Sequence, residues 1–266
     1  MILVIVNPVA GKLRAKSALF EIIDVFNAAG HDVNVRISQH RGHARALARD
    51  ARRAQYERIV CVGGDGTLNE VITGVIESGE GIPLGYIPLG STNDFASTLK
   101  LSRDVTIAAR AAIEGAPVSI DVGQFDDERI FAYIASFGVF SAASYTAPQS
   151  TKNALGHFAY ILEGIKDIVN IKAYHMVVEA DGVRCEDDYI FAAVVNSTSI
   201  AGIFKLDSEI VDLSDGLFEV VLIKTIRSPN DLNLVIGSIM NSDFNNKMFD
   251  FIRAPQVKFT MDQELH

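Results

Sequence analysis

The apolar run at residues 59–62, Ile-Val-Cys-Val, leads without a break into Gly63-Gly64-Asp65-Gly66-Thr67-Leu68-Asn69-Glu70. A strand that ends in glycines and reopens as a helix admits few architectures. Glycine permits the sharp turn, and it lets a ligand approach where a Cβ would clash. The first N–H groups of the helix lack partners within it and can hold an anion such as phosphate. Thr67 and Glu70 stand at capping-box spacing, which predicts a helix start fixed by these two side chains. Two similar turns accompany it. Residues 84–87 run into Pro88-Leu89-Gly90-Ser91-Thr92-Asn93-Asp94-Phe95-Ala96, where Ser91 and Asp94 repeat the capping spacing. Ile2–Val6 runs into Asn7-Pro8-Val9-Ala10-Gly11-Lys12. In a parallel sheet with right-handed crossovers, the loops that follow the strands gather on one edge. Three such turns on one edge converge most simply on one nucleotide. Asp65 adds a carboxylate that could take a hydroxyl proton or orient hydrated Mg²⁺. Neither the G-x-x-x-x-G-K-[ST] nor the G-x-G-x-x-G pattern is present.

The rest of the first half continues the alternation of strand and helix that marks a parallel α/β sheet. Leu19, Ile22, Ile23 and Phe26 recur at helical spacing, and Val33–Ile37 reads as a strand. The next helix is expected to place Ala44, Leu47, Ala48 and Ala51 on one face, with Arg45, Arg49, Arg52 and Arg53 on its other side. The second half changes character. Residues 176–180 and 183–186 flank Asp181-Gly182, a hairpin signal, and residues 189–195 and 218–223 read as further strands. Ser228-Pro229 opens a helix, with Ser as N-cap and Pro at the first helical position. Another helix is expected at 160–168. The uncharged run 130–151 is long enough to cross a bilayer, but Ser136, Gly138, Ser141, Ser144 and Pro148 make it read as a strand followed by a loop. The organisation is an α/β unit over 1–118 and a β-rich unit over 119–266, joined near residues 115–119.

Charge excludes some functions. A net −9 and a pI near 5.1 argue against nucleic-acid binding. Residues 1–58 nevertheless carry ten Lys/Arg against five Asp/Glu, so part of this unit could face an anionic partner, although charged faces are common without function. Cys61 and Cys185 have no metal or redox spacing and are expected as buried free thiols in a reducing compartment. His40 and His43 read as a loop-to-helix junction rather than as metal ligands.

Residues 63–70 together with 88–96 and Asn7-Pro8 resemble the soluble bacterial diacylglycerol kinases and their lipid kinase relatives, which include the sphingosine and ceramide kinases. The resemblance covers nearly the whole chain. A Gly-Gly-Asp-Gly turn also occurs in NAD kinases, which stay the alternative together with a catalytically weak nucleotide-binding regulator. The segment 88–96 favours lipid kinases. The resemblance implies a Rossmann-like three-layer nucleotide-binding domain followed by a β-rich sandwich domain that takes the lipid. It implies transfer of the ATP γ-phosphate to a lipid hydroxyl, such as that of diacylglycerol, with Mg²⁺. Asn7, Ser38, Gly63, Gly64, Asp65, Gly66, Thr67, Asn69, Glu70 and Thr92 would then meet the nucleotide, and Asp65 and Asp94 would carry the chemistry. In Leu213-Ser214-Asp215-Gly216-Leu217, Asp215 would bind a structural Mg²⁺ with the backbone carbonyls of Asp212 and Leu217, where the residues alone read as a hairpin turn. The resemblance further implies a cytoplasmic enzyme in peripheral contact with the membrane, in which the face at 41–53 is one candidate surface, and a homodimer. This chain departs from the family's pattern at its end. An Asp-Gly-Glu is expected a few residues past Met261, and Asp262-Gln263-Glu264 is not that motif; the chain is therefore expected to lack the family's C-terminal end.

Overall fold

A computed structural model describes residues 1–126, 129–138, 172–200, 204–207 and 209–261. The expected helix at 160–168, the loop half of 130–151 and Asp262-Gln263-Glu264 lie outside these residues.

The chain divides into two units, Met1–Ala132 and Tyr133–His266. The first is built on four parallel strands in the order β2-β1-β3-β4. These are β1 Ile2–Val6, β2 Val33–Ile37, β3 Arg58–Gly63 and β4 Leu84–Pro88. All five β1 residues are buried, as a strand covered on both faces requires. Ile2, Val4 and Val6 meet Ala15, Ala18, Ile22 and Phe26 of α1 (Ala10–Ala28) and Ala108, Ala109, Ala112 and Ile113 of α5 (Val105–Glu114). Buried Leu3 and Ile5 alternate to the other face. The shorter helices are α2 (His43–Arg49), α3 (Asp65–Ser78) and α4 (Asp94–Thr98), and α2 packs along α3. The three-layer parallel arrangement is the one the alternating pattern predicts. Helix α2 is shorter than expected: it stops at Arg49, and buried Ala51 lies beyond it. A two-stranded hairpin, β5 Gly123–Phe125 and β6 Arg129–Phe131, belongs to this unit; the junction read near 115–119 precedes it.

The second unit holds a six-stranded antiparallel sheet in the order β13-β12-β9-β8-β14, with β7 (Ile134–Gly138) also paired to β9. Strand β8 is Tyr174–Ala180, β9 Val183–Val195, β12 Phe218–Lys224, β13 Phe249–Ala254 and β14 Val257–Met261; β10 (Ser199–Ile200) and β11 (Phe204–Lys205) form a short ribbon. Strand β9 is long enough to pair with β8 through its first half and with β7 through its second, both on the edge away from β12. The hairpin at Asp181-Gly182 forms with both residues at positive φ, as a type I′ turn requires. Helix α6 (Pro229–Asn241) begins as expected: Ser228 accepts from the Asp231 N–H, with Pro at the start. Its Val235 and Ile239 pack on Ile190, Ala193, Val221 and Ile223.

Cys61 is buried and Cys185 is only half-buried, which corrects the expectation of two buried thiols. Cys185 sits in the first half of β9, where every residue is exposed or half-buried up to Tyr189. Burial raises the Cys61 thiol far above its ordinary range, so it stays neutral. No helix among the described residues is long and apolar enough to cross a membrane.

Candidate functional site

In-register pairing places the carboxyl ends of the four strands on one edge: Val6 lies beside Ile37 and Val62, and Gly63 beside Pro88. The three turns that leave this edge touch through their glycines. A Cβ on Gly90 would lie 2.5 Å from the Gly64 Cα and 2.6 Å from the Asn93 Oδ1. A Cβ on Gly11 would lie 2.0 Å from the Leu89 carbonyl oxygen. Backbones this close leave no room for a side chain. Leu89 N–H donates to the Gly63 carbonyl at 2.8 Å, which ties the second and third turns together.

The first turn joins through Asn7. Its amide nitrogen donates to the Thr67 hydroxyl at 2.8 Å, and its carbonyl accepts from Val9 N–H at 3.2 Å. Helix α3 begins at Asp65, and Leu68 N–H to the Gly64 carbonyl is its first closing bond, at 3.0 Å. The N–H groups ahead of Leu68 therefore point out of the helix end towards the gathered turns.

Both capping boxes expected from the spacing are corrected by the structure. Because α3 starts two residues before Thr67, Thr67 lies inside the first turn, and no side chain caps the helix at Gly64. Thr67 accepts from Asn7 instead, and Glu70 accepts from the Gly42 N–H at 2.8 Å, which sets the start of α2. Helix α4 likewise begins at Asp94, with Asn93 rather than Ser91 at its N-cap. The cap of α4 comes from across the site. The Asp65 carboxylate accepts from Asp94 N–H at 3.1 Å and Phe95 N–H at 3.3 Å. Burial raises the pKa of Asp65 above the ordinary carboxylate value, against the pull of these N–H groups. The Asp65 carboxylate thus meets the backbone of Asp94, the other acidic residue expected to carry the chemistry. Asp94 is 4% exposed, Ser91 and Thr92 are exposed, and Ser38 donates to the Val6 carbonyl at 3.3 Å.

Asn93 was not singled out by the sequence and proves central. It is 6% exposed with φ +55°, and its side chain accepts from Gly90 N–H at 2.8 Å and donates to the Gly90 carbonyl at 3.0 Å. The readable signal was asparagine's tolerance of left-handed backbone and its habit of bonding nearby peptide groups.

Asn69 is engaged at both ends. It accepts from Ala132 N–H at 2.8 Å and donates to the Ile130 carbonyl at 3.2 Å. Its amide stands in for a neighbouring strand and fastens α3 to the chain where the first unit ends. Asn69→Leu leaves two backbone groups unpaired and is expected to lower stability by about 1–3 kcal/mol, read as the midpoint of urea unfolding. An unchanged midpoint would mean that water replaces the amide at no cost.

Four of the arginines at 41–53 make polar contacts while staying exposed. Arg45 grips Glu77 at the end of α3, with its Nε 3.0 Å from both oxygens. Arg49 pairs with Asp50 at 3.1 Å and Arg52 with Glu80 at 3.8 Å, and Arg53 donates to the Gly81 carbonyl. The reason is that α2 lies against α3. His43 accepts from Gln39 N–H at 3.0 Å and stacks on His40, a junction role, and among the described residues no three His, Cys, Asp or Glu side chains group as metal ligands.

In the second unit, Asp212, Asp215 and Leu217 share one turn that is closed by its own bonds. Asp212 accepts from Ser214 N–H, and Asp215 accepts from Leu217 N–H at 2.9 Å. Arg253 supplies the cation, at 2.6 Å from Asp215 and 3.2 Å from Glu219. Each Asp215 oxygen thus accepts one hydrogen bond, Oδ1 from Leu217 N–H and Oδ2 from Arg253. Glu219 is 1% exposed, its Oε2 lacks a partner, and burial pushes its pKa up to about 7, against the pull of Arg253. A raised value favours the protonated folded form, so this contribution is fully present below the ordinary carboxylate pKa and is lost as pH rises through about 7. Melting temperature is therefore expected to fall between pH 5.5 and 8 more steeply in the natural chain than in Glu219→Gln. Parallel profiles would remove Glu219 as the cause.

Comparison with known proteins gives the relatives of this chain. The family model described as diacylglycerol kinase catalytic domain matches residues 1–125. A diacylglycerol kinase of Staphylococcus aureus (strain bovine RF122 / ET3-1) is 31% identical over 83% of this chain and 70% of its own length. One from Bacillus subtilis (strain 168) is 28% identical over 98% of this chain and 86% of its own. A crystal structure of a diacylglycerol kinase from Bacillus anthracis shares the fold, with a TM-score of 0.75 at 20% identity, covering 98% of this chain and 86% of that one.

Proposed function

The chain belongs to the bacterial diacylglycerol kinase family, and on that premise we propose that it transfers the γ-phosphate of ATP to the hydroxyl of a lipid alcohol, with diacylglycerol as the first candidate. One observation carries the reading: three glycine-bearing turns meet at one sheet edge with the Asp65 carboxylate set between α3 and α4.

The phosphates would lie against the opening turn of α3, where Gly63, Gly64, Gly66 and Thr67 present backbone and Asn7 holds Thr67 in place. Ser38 and Thr92 stand at the flanking turns. Asn69 and Glu70 are positioning residues, since their side chains fasten β6 and α2. Phosphoryl transfer needs placement and charge neutralisation more than covalent help. Mg²⁺ arriving with ATP would supply positive charge at the transferred phosphate. It needs only one or two carboxylates beside the phosphates, and Asp65 and Asp94 would supply them. Asp65 would take the hydroxyl proton as the new O–P bond forms and ADP leaves with the electron pair of the broken bond. Its raised pKa suits a base. The first unit would hold ATP and the second the acyl chains.

The test supplies labelled ATP, Mg²⁺ and a panel of lipid alcohols in mixed micelles, with NAD as a parallel acceptor. Label in a lipid, lost in Asp65→Asn, is the expected result. Label in NAD, or in no acceptor while ATP binds, would overturn it.

A further inference from the structure

We propose that His40, in the turn after β2, is the platform on which the base of the nucleotide stacks, through the outer face of its ring. The proposal rests on the reading of the strand edge as an ATP site and names the side chain that holds the base there.

His40 is exposed, and its ring lies on that of His43 with centroids 5.0 Å apart and planes 12° apart. Backbone groups fix both rings. His43 Nδ1 accepts from Gln39 N–H at 3.0 Å, and His40 Nδ1 donates to the Arg41 carbonyl at 2.9 Å. One face of His40 is thereby covered, and the other is oriented towards solvent before any ligand arrives. A flat ring held in this way can take a second flat ring, and aromatic side chains carry nucleobases in this manner. A pair of exposed rings on its own is ordinary surface. The position of this pair sets it apart. Strand β2 stands two strands from β3 in the order β2-β1-β3, about 10 Å away at the usual spacing. A nucleotide with its phosphates on the opening turn of α3 spans that distance to its base. The turn is also tied to both neighbours: Ser38 N–H donates to the Val6 carbonyl at 2.9 Å, and Glu70 of α3 accepts from Gly42 N–H at 2.8 Å. Its surroundings fit an anion that carries a flat base. Residues 33–49 contain no Asp or Glu. Arg41, next to His40, has no side-chain partner among the described residues, unlike Arg45, Arg49, Arg52 and Arg53, so its charge is left for an arriving anion. Ile37, at the end of β2, is 42% exposed and adds apolar surface. The other three turns offer no such ring: residues 7–12 and 63–67 contain no aromatic side chain, and Phe95 in the third is 2% exposed.

The test is calorimetric binding of ATP and, in parallel, of inorganic tripolyphosphate, which has the phosphates and no base. The natural chain is compared with His40→Ala and His40→Phe. ATP binding is expected to weaken about 5- to 150-fold in His40→Ala, the worth of one base stack, with tripolyphosphate binding unchanged. His40→Phe keeps a flat ring and is expected to keep ATP binding. His40 is exposed, so both variants are expected to fold, and unchanged tripolyphosphate binding shows that they have. Equal ATP affinity in the natural chain and His40→Ala overturns the proposal. So does a loss of ATP and tripolyphosphate binding together, because the change then acts on the phosphate cradle. An equal loss of ATP binding in His40→Phe overturns it as well, because the ring is then not what holds the base. Lipid phosphorylation separates this from the reading beneath it. A natural chain that phosphorylates a lipid alcohol, while His40→Ala binds ATP equally well, removes the base platform and keeps the kinase. A natural chain that binds neither ATP nor tripolyphosphate removes both.

Discussion

Asp65→Asn is expected to lower kcat/KM for phosphoryl transfer by about 10²–10⁴-fold, the usual worth of a positioned acid–base group. ATP affinity should change far less, because the change removes a proton acceptor and leaves the backbone cradle of α3 in place. The pH profile gives a second readout. Burial holds Asp65 above the ordinary carboxylate range, so its charged, proton-accepting form appears only above that range. The acid limb of kcat/KM should therefore sit higher than an ordinary aspartate would place it. Asp65 also caps α4 through the N–H groups of Asp94 and Phe95. Loss of a cap alone costs about 0.5–2 kcal/mol and would show in the melting temperature. A variant that keeps more than a tenth of the natural activity would reduce Asp65 to that capping role.

Gly90→Ala and Gly66→Ala are expected to move in opposite directions. A Cβ on Gly90 would fall 2.5 Å from the Gly64 Cα and 2.6 Å from the Asn93 Oδ1. Neither neighbour is the free end of a flexible side chain, so the two turns must separate. The expected cost is about 1–3 kcal/mol of stability, with ATP binding weakened at least tenfold as the cradle opens. A Cβ on Gly66 would meet nothing within 4 Å. Gly66 lies inside α3, where alanine is favoured over glycine by about 0.5–1 kcal/mol. Gly66→Ala should therefore melt at an equal or higher temperature and yet bind ATP more weakly, because the space it fills is where the phosphates would approach. Thermal melts with and without ATP separate the two cases. Equal ATP affinity in Gly66→Ala would place the phosphates elsewhere.

The sequence was most informative where periodicity and turn chemistry agree. The strands at Ile2–Val6 and Val33–Ile37, the Asp181-Gly182 hairpin and the Ser228-Pro229 helix start all stand where they were read. Capping spacing misled at Thr67/Glu70 and Ser91/Asp94, because side chains that could cap locally found partners farther along the chain. Thr67 met Asn7 and Glu70 met Gly42, and α4 took its cap from Asp65. Local spacing ranks the bonds a side chain can make with its neighbours, and it carries no information about competitors brought in by the fold. The arginine row at 45–53 stays exposed as its pattern reads, and only the fold shows that Glu77 of α3 pairs with Arg45.

The sequence by itself determined the alternation of strand and helix, the glycine turns and their common edge, since these follow from hydrophobic period, backbone sterics and the handedness of crossovers. Only the tertiary structure decided which groups those turns bring into contact. It set Gly64 against Gly90, Asp65 on the first N–H groups of α4, Asn69 across the backbone of β6, and Arg253 between Asp215 and Glu219. Each pair is separated by about 25 residues or more along the chain, beyond the few residues over which local preferences act, and is joined only by packing.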